Sequence, residues 1–347
     1  MTDSTQGEPD PAARPRHPAA GPARRLVAVL LAGALVACGP AGLAAQRSAV
    51  PVASPAEQDG RWSELAPLGE PRQEVAVAEF GGQVYVAGGY RGDGSISPTV
   101  EAYDVAGNRW RFVAPLPQGL HHAGAGTLDG TLYVVGGYDD RGAVDSLWAY
   151  DPAADTWQPR AAMPTGRGAL TVVVLDGRLY AIGGERGRSV GDVAAYDPRA
   201  DAWETLPPMR NARDHLAAAV VGGRIYVAGG PNGRDFTMSA LEEYDPATRT
   251  WRERAAMPTG RSGIAGAALA DRFYVFGGEG NRANPQGIFD AVEAYDPGQD
   301  AWTRLAPMRT PRHGINAAVL GGRAYIPGGA TVEGFGVTAI NEAYDPS

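Results

Sequence analysis

Six Gly-Gly pairs of the 347-residue chain close a Tyr-x-x-Gly-Gly string, beginning at Gly88, Gly136, Gly183, Gly229, Gly277 and Gly328. Sixteen residues before each pair stands Arg72, Leu120, Arg167, Arg213, Arg261 or Arg312, so this column is arginine in five of six cases. A guanidinium presents its donors in a planar fork that fits carboxylate and phosphate oxygens. Repeated round a ring, such a column suits a carboxylate, a phosphate or an acidic sugar. It would equally serve to bond loop carbonyls or an acid of a neighbouring unit, and the sequence leaves both readings open. One or two places beyond the column come His121, His122, His215 and His313, four of the five histidines in the chain. Zinc takes three or four such ligands at about 2.0–2.1 Å. His121 and His313 share one offset, however, while His122 and His215 share the next, and adjacent positions on a strand point to opposite sides. Hydrogen bonding is therefore the expectation for the histidines, with no metal and no cofactor. The candidate ligand contacts are these five arginines and four histidines.

Other chemistry is excluded more firmly. There is no His-Glu-x-x-His, no Walker loop and no EF-hand spacing. All 31 basic residues are arginine, which removes lysine Schiff-base chemistry and any P-loop lysine. A net charge of -8 argues against a nucleic-acid partner, because phosphate neutralisation needs a basic face. Cys38 is the single cysteine, so neither an internal disulfide nor a cysteine-based zinc cluster is available. Two residues break their columns. Glu79 stands where the other units have Thr127, Val174, Val220, Ala268 and Val319, as expected of an acid in a water-filled channel. Trp148 replaces a residue that is glutamate at positions 101, 242, 293 and 342. The tripeptide Arg91-Gly92-Asp93 is too short to support an adhesion function.

The elements that position these residues repeat with them. Successive Gly-Gly pairs lie 48, 47, 46, 48 and 51 residues apart, and each is followed by a Tyr-Asp pair, at Tyr103, Tyr150, Tyr196, Tyr244, Tyr295 and Tyr344. Trp110, Trp157, Trp203, Trp251 and Trp302 each lie seven residues after one of the first five tyrosines, and Trp62 supplies the sixth from the other end. Each unit reads as four short strands. The first is small and apolar, the second ends in Tyr-x-x-Gly-Gly, the third in Tyr-Asp, and the fourth begins at Trp. Asp-Pro between the last two, present in five of six units, sets a tight turn. With 48 Gly and 28 Pro, over a fifth of the chain, a turn-rich β protein is expected.

This pattern resembles the kelch repeat over residues 61–347. The resemblance implies an all-β fold, a six-bladed β-propeller of four-stranded blades, its ring closed by an N-terminal strand at Arg61–Leu65 that completes the last blade. In such a meander the 2–3 loops and the blade-to-blade 4–1 connections share one face. The 2–3 loops differ from unit to unit, so function is expected there. In kelch adaptors, arginines of the 4–1 connection contact acidic peptides. The kelch copper radical oxidases need a tyrosine crosslinked to a cysteine; with Cys38 upstream of the domain, that activity is not expected.

Upstream, Arg24-Arg25 precedes twelve apolar residues, 26–37, and then Cys38. The run is too short to span a bilayer and suits a signal peptide. Leu35-Val36-Ala37-Cys38 resembles a bacterial lipobox, which implies lipidation of Cys38. Residues 1–37 are read as a lipoprotein signal, 38–60 as the lipidated cysteine with a flexible tether, and 61–347 as the propeller. The expected protein is a lipid-anchored, extracytoplasmic module, on the cell membrane, binding a protein or glycan at the envelope. The alternatives are a structural subunit of an envelope complex or a sugar-processing enzyme. The latter rests on a resemblance to exported kelch mutarotases of acidic sugars such as sialic acid, with Arg213, Asp214 and His215, or Arg312 and His313, as acid–base pair and anion clamp.

Overall fold

A computed structural model of the chain describes residues 60–346. The expected signal, Cys38 and all of the tether except Gly60 lie outside the described residues. Six four-stranded antiparallel sheets follow one another, with no helix among the described residues. In the first, Ala76–Phe80, Gln83–Ala87, Val100–Asp104 and Arg109–Val113 form a simple meander. The innermost strands of the next four begin at Gly124, Thr171, Ala217 and Ala265. The sixth sheet is composite. Ala318–Leu320, Arg323–Pro327 and Asn341–Asp345 come from the C-terminal end, and Arg61–Leu65 from the other end supplies the fourth strand. Arg61 pairs with Asp345 and Leu65 with Asn341. The chain is thus a six-bladed β-propeller, whose innermost strands line a central channel that includes Glu79 and Val319.

Small residues are needed where those strands crowd together. A Cβ on Gly124 would come within 2.3 Å of a Val172 methyl on the next blade. The Gly-Gly pairs serve a different purpose. Gly88 and Gly89 have φ of 68° and 101°, a region open to glycine, and a Cβ on Gly88 would lie 2.2 Å from the Leu120 carbonyl. The second glycine of each pair donates its N–H to the carbonyl of the Arg-column residue of the next blade. The bond runs from Gly89 to Leu120 at 2.7 Å and closes the circle from Gly329 to Arg72 at 2.8 Å.

The tyrosines and tryptophans tie the outer strands together. Trp110, Trp157, Trp203 and Trp302 donate their indole N–H to Ala66, Ala114, Ala161 and Ala255 of the preceding blade at 2.7–2.9 Å. Tyr150, Tyr196 and Tyr295 donate to Asp155, Asp201 and Asp300, whose carboxylates also accept from that blade's backbone. Each indole therefore combines apolar burial with a directional bond across the blade interface, and each of these tyrosines steadies the aspartate of its own blade that does the same.

Candidate functional site

The arginine column is structural. Arg72, Arg167, Arg213, Arg261 and Arg312 are at most 1 % exposed. Each reaches along its own blade to the carbonyl of the first glycine of the pair: Gly88, Gly183, Gly229, Gly277 and Gly328 respectively. That bond is the reason for the spacing of sixteen. Four forks also close on a buried glutamate, Arg72 on Glu101, Arg213 on Glu242, Arg261 on Glu293 and Arg312 on Glu342, at 2.6–3.2 Å. Arg167 has no such acid; like Arg261 and Arg312 it bonds carbonyls two residues before and fourteen after it, Thr165 and Ala181, and it adds the Thr165 hydroxyl. Burial draws Arg167 and Arg213 down to about 10, still charged at neutral pH. Of the two readings that the sequence left open, this geometry fits the structural one and not ligand contact: these groups are sealed inside the blades by the carbonyls they satisfy. The anion clamp of the sugar-enzyme reading goes with them.

Two residues beyond the column, the chain turns left-handed in every blade. Glu74, His122, Ala169, His215, Gly263 and Gly314 have φ between 46° and 64°. Their backbones form a closed circle of hydrogen bonds. His122 donates to Glu74, Ala169 to His122, His215 to Ala169, Gly263 to His215, Gly314 to Gly263 and Glu74 to Gly314, all at 2.9–3.1 Å. This circle frames the channel mouth on the face of the 2–3 loops. Of its six members only Glu74, His122 and His215 carry functional side chains, and these converge on the axis. They line a cavity of about 30 Å³.

Glu74 Oε2 lies 3.3 Å from His122 Nε2, and the His122 and His215 rings meet edge to face at 4.8 Å. His215 Nδ1 lies 2.5 Å from Asp214, whose other oxygen accepts from Ser189 Oγ at 2.5 Å. His122 Nδ1 faces His121 Nδ1, and His121 Nε2 meets the Tyr90 hydroxyl at 2.9 Å. Burial pushes the Glu74 carboxyl up, against the pull of His215 and His313. Burial also pushes His121 down to about 4, and holds His122 well below the imidazole range. His215 goes the other way. Burial opposes its charge, but the Asp214 bond and the Glu74 carboxylate raise it to about 9.

The four histidines therefore do not form one set. His122 and His215 face the axis. His121 is buried and stacks at 5.2 Å on Tyr138. His313 is buried too, bonded to the Val332 carbonyl at 2.7 Å and 3.3 Å from Glu279. Glu74 is the member that sequence reasoning missed; its signal was an offset identical to that of His122 and His215. Residues 187–191 also spell Gly-x-Ser-x-Gly. It lies in a 2–3 loop, not at a strand-to-helix turn, and its Ser189 bonds an aspartate, so it is no nucleophile elbow.

Comparison with known proteins fits this architecture. The KLHDC2/KLHL20/DRC7 Kelch-repeats domain matches residues 56–212, and the Kelch motif matches 212–258 and 260–309. The chain belongs to the kelch-repeat family. Among individual kelch relatives, Kelch-like protein terF of Aspergillus terreus is 37% identical over 68 residues, 20% of this chain and 15% of that protein. Influenza virus NS1A-binding protein homolog B of Danio rerio is 49% identical over 47 residues, 14% of this chain and 7% of that protein. The chain thus matches only a small part of these relatives' length. The solved structure of YjhT superposes with a TM-score of 0.66 over 80% of this chain and 95% of that one. At 18% identity that likeness is one of fold.

The loop face of this kelch propeller also carries an open groove of about 590 Å³, between the 2–3 loops of blades four and five and Glu333 of blade six. Arg234, Phe236, Arg282 and Phe289 line it. Phe236, Val332 and Phe335, three of the five exposed large apolar side chains among the described residues, are on loops of this face.

Proposed function

We propose that this kelch propeller is a binding module for a protein at the cell envelope, held on the extracytoplasmic side by a lipid on Cys38, with the 2–3 loops and 4–1 connections as its binding face. The observation that carries the reading is exposed Phe236 in the groove wall, with Val332 and Phe335 exposed on the blade-six loop that brings Glu333 to the groove. Exposed aromatics next to a concavity with charged walls are what a protein interface requires. The apolar run before Cys38 supports export, and one relative is named for binding a viral protein. A second reading, a sugar-processing enzyme, draws on Asp214 and His215, an acid–base pair at the mouth.

Site-specific photo-crosslinking in intact cells tests the first reading. Probes at Phe236 and Phe335 are expected to capture the same protein, and Arg282→Glu to abolish capture. A probe at Ala154, in the 3–4 turn on the opposite face, is expected to capture nothing. Equal capture from both faces would sink the assignment of the binding face.

A further inference from the structure

The geometry points to a site for one divalent transition-metal ion, zinc by its donor set, held on the propeller axis by Glu74, His122 and His215. Three observations carry this. The first is convergence: the three side chains each offer a ligand atom, and all of these atoms lie within 4.8 Å of one another. A tetrahedral zinc with bonds of about 2.0–2.1 Å sets neighbouring ligand atoms roughly 3.4 Å apart. Glu74 Oε2 and His122 Nε2 already stand at 3.3 Å, so only His215 has to draw in.

The second observation is the outer shell. A zinc-bound histidine donates its remaining ring N–H to a carboxylate or another acceptor, which fixes the tautomer and aims the lone pair. His215 has this arrangement, with Nδ1 on Asp214 and Asp214 steadied by Ser189, leaving Nε2 for the metal. His122 has an analogue: Nδ1 faces His121, leaving Nε2 toward Glu74. The third is space. The other three members of the backbone circle are Ala169, Gly263 and Gly314, and a Cβ on Gly314 would come 2.7 Å from Glu74 Oε1. The column is thus small where ligands would collide and functional where they meet. Two imidazoles and one carboxylate leave a fourth position open, as in zinc sites that bind water or substrate.

The site does not depend on the partner-binding reading, and its test contains no partner. The full chain, freed of metal with EDTA, is titrated calorimetrically with zinc chloride, and the zinc complex is studied by X-ray absorption. The expected result is saturable binding of one ion at this site, with a spectrum showing two imidazoles. His122→Gln and His215→Gln should each weaken binding at least tenfold. Asp214→Asn leaves all three ligands in place and should weaken it about 10–100-fold. His313→Gln should bind as the unaltered chain does. Absence of saturable binding, a spectrum without imidazole, or unchanged affinity in both His122→Gln and His215→Gln would overturn the site. The spectrum is taken on the unaltered chain, so it decides the matter even where a variant fails to fold.

Discussion

His215 occupies a place that both discourages and rewards its charge. Burial favours the neutral ring; Asp214 and Glu74 favour the cation, and together they hold the group near 9. In the unfolded chain the same ring titrates near 6.5. The folded state therefore keeps a proton that the unfolded state releases as pH rises between those values. The stability this contributes is complete below about pH 6.5 and is lost as pH climbs through 9, on the order of 3 kcal/mol in all. His121, held near 4 in the fold, is neutral there across that window, but its unfolded ring still releases a proton as pH rises just above 6.5, so it adds a small opposite gain confined to the low end. Urea denaturation of the metal-free chain from pH 6.5 to 9 should show this decline, and His215→Gln should flatten it. A decline that persists in the variant would show that another group is responsible. At this scale the sequence was half legible. The offset shared by His122 and His215 could be read from spacing, but an alternation rule derived for strands does not apply where the backbone turns left-handed. The convergence of those two rings with Glu74 was therefore out of its reach.

Within a blade, the recurring unit is a tie between the connection that enters it and the third strand. Arginine and glutamate make that tie in blades one, four, five and six. In blade two both partners change together, to Leu120 and Trp148, which fall in one apolar cluster. Both columns were visible in the sequence; the simultaneous exchange was the signal that they touch. Spacing alone could not show it, because the folded blade is what brings residues 29 to 32 apart side by side. Leaving one member of a buried ion pair alone typically costs 3–5 kcal/mol, whereas an apolar replacement of both is often neutral. Arg312→Leu should therefore lower the unfolding free energy by about 3–5 kcal/mol. Arg312→Leu combined with Glu342→Trp, copying blade two, should recover at least half of that loss in urea denaturation. No recovery would mean that the carbonyl bonds of Arg312, not its pairing with Glu342, dominate. The fold itself was read almost completely, since Gly-Gly, Tyr-Asp and Trp each answer a local requirement that recurs six times.

For the whole molecule, the requirement is closure. Trp62 packs at 5.1 Å from Tyr344 and 5.9 Å from Phe276, and donates to the Ala306 carbonyl at 3.3 Å. It thereby joins the first described strand to the fifth and sixth blades. Full loss of a buried tryptophan costs 3–5 kcal/mol, and Trp62 is half-buried, so Trp62→Ala should cost about 2–3 kcal/mol. Amide exchange in Asn341–Asp345 should accelerate more than in any central blade; uniform acceleration would argue that the ring opens as one unit. The strand Arg61–Leu65 also runs from the face of the 3–4 turns up to the loop face, so the chain enters the propeller on the side away from the candidate site. A pull along the incoming chain against a partner held on the loops would act parallel to this strand. All the hydrogen bonds between it and Asn341–Asp345 would then resist together in shear, where a strand peeled from the side gives way one bond at a time.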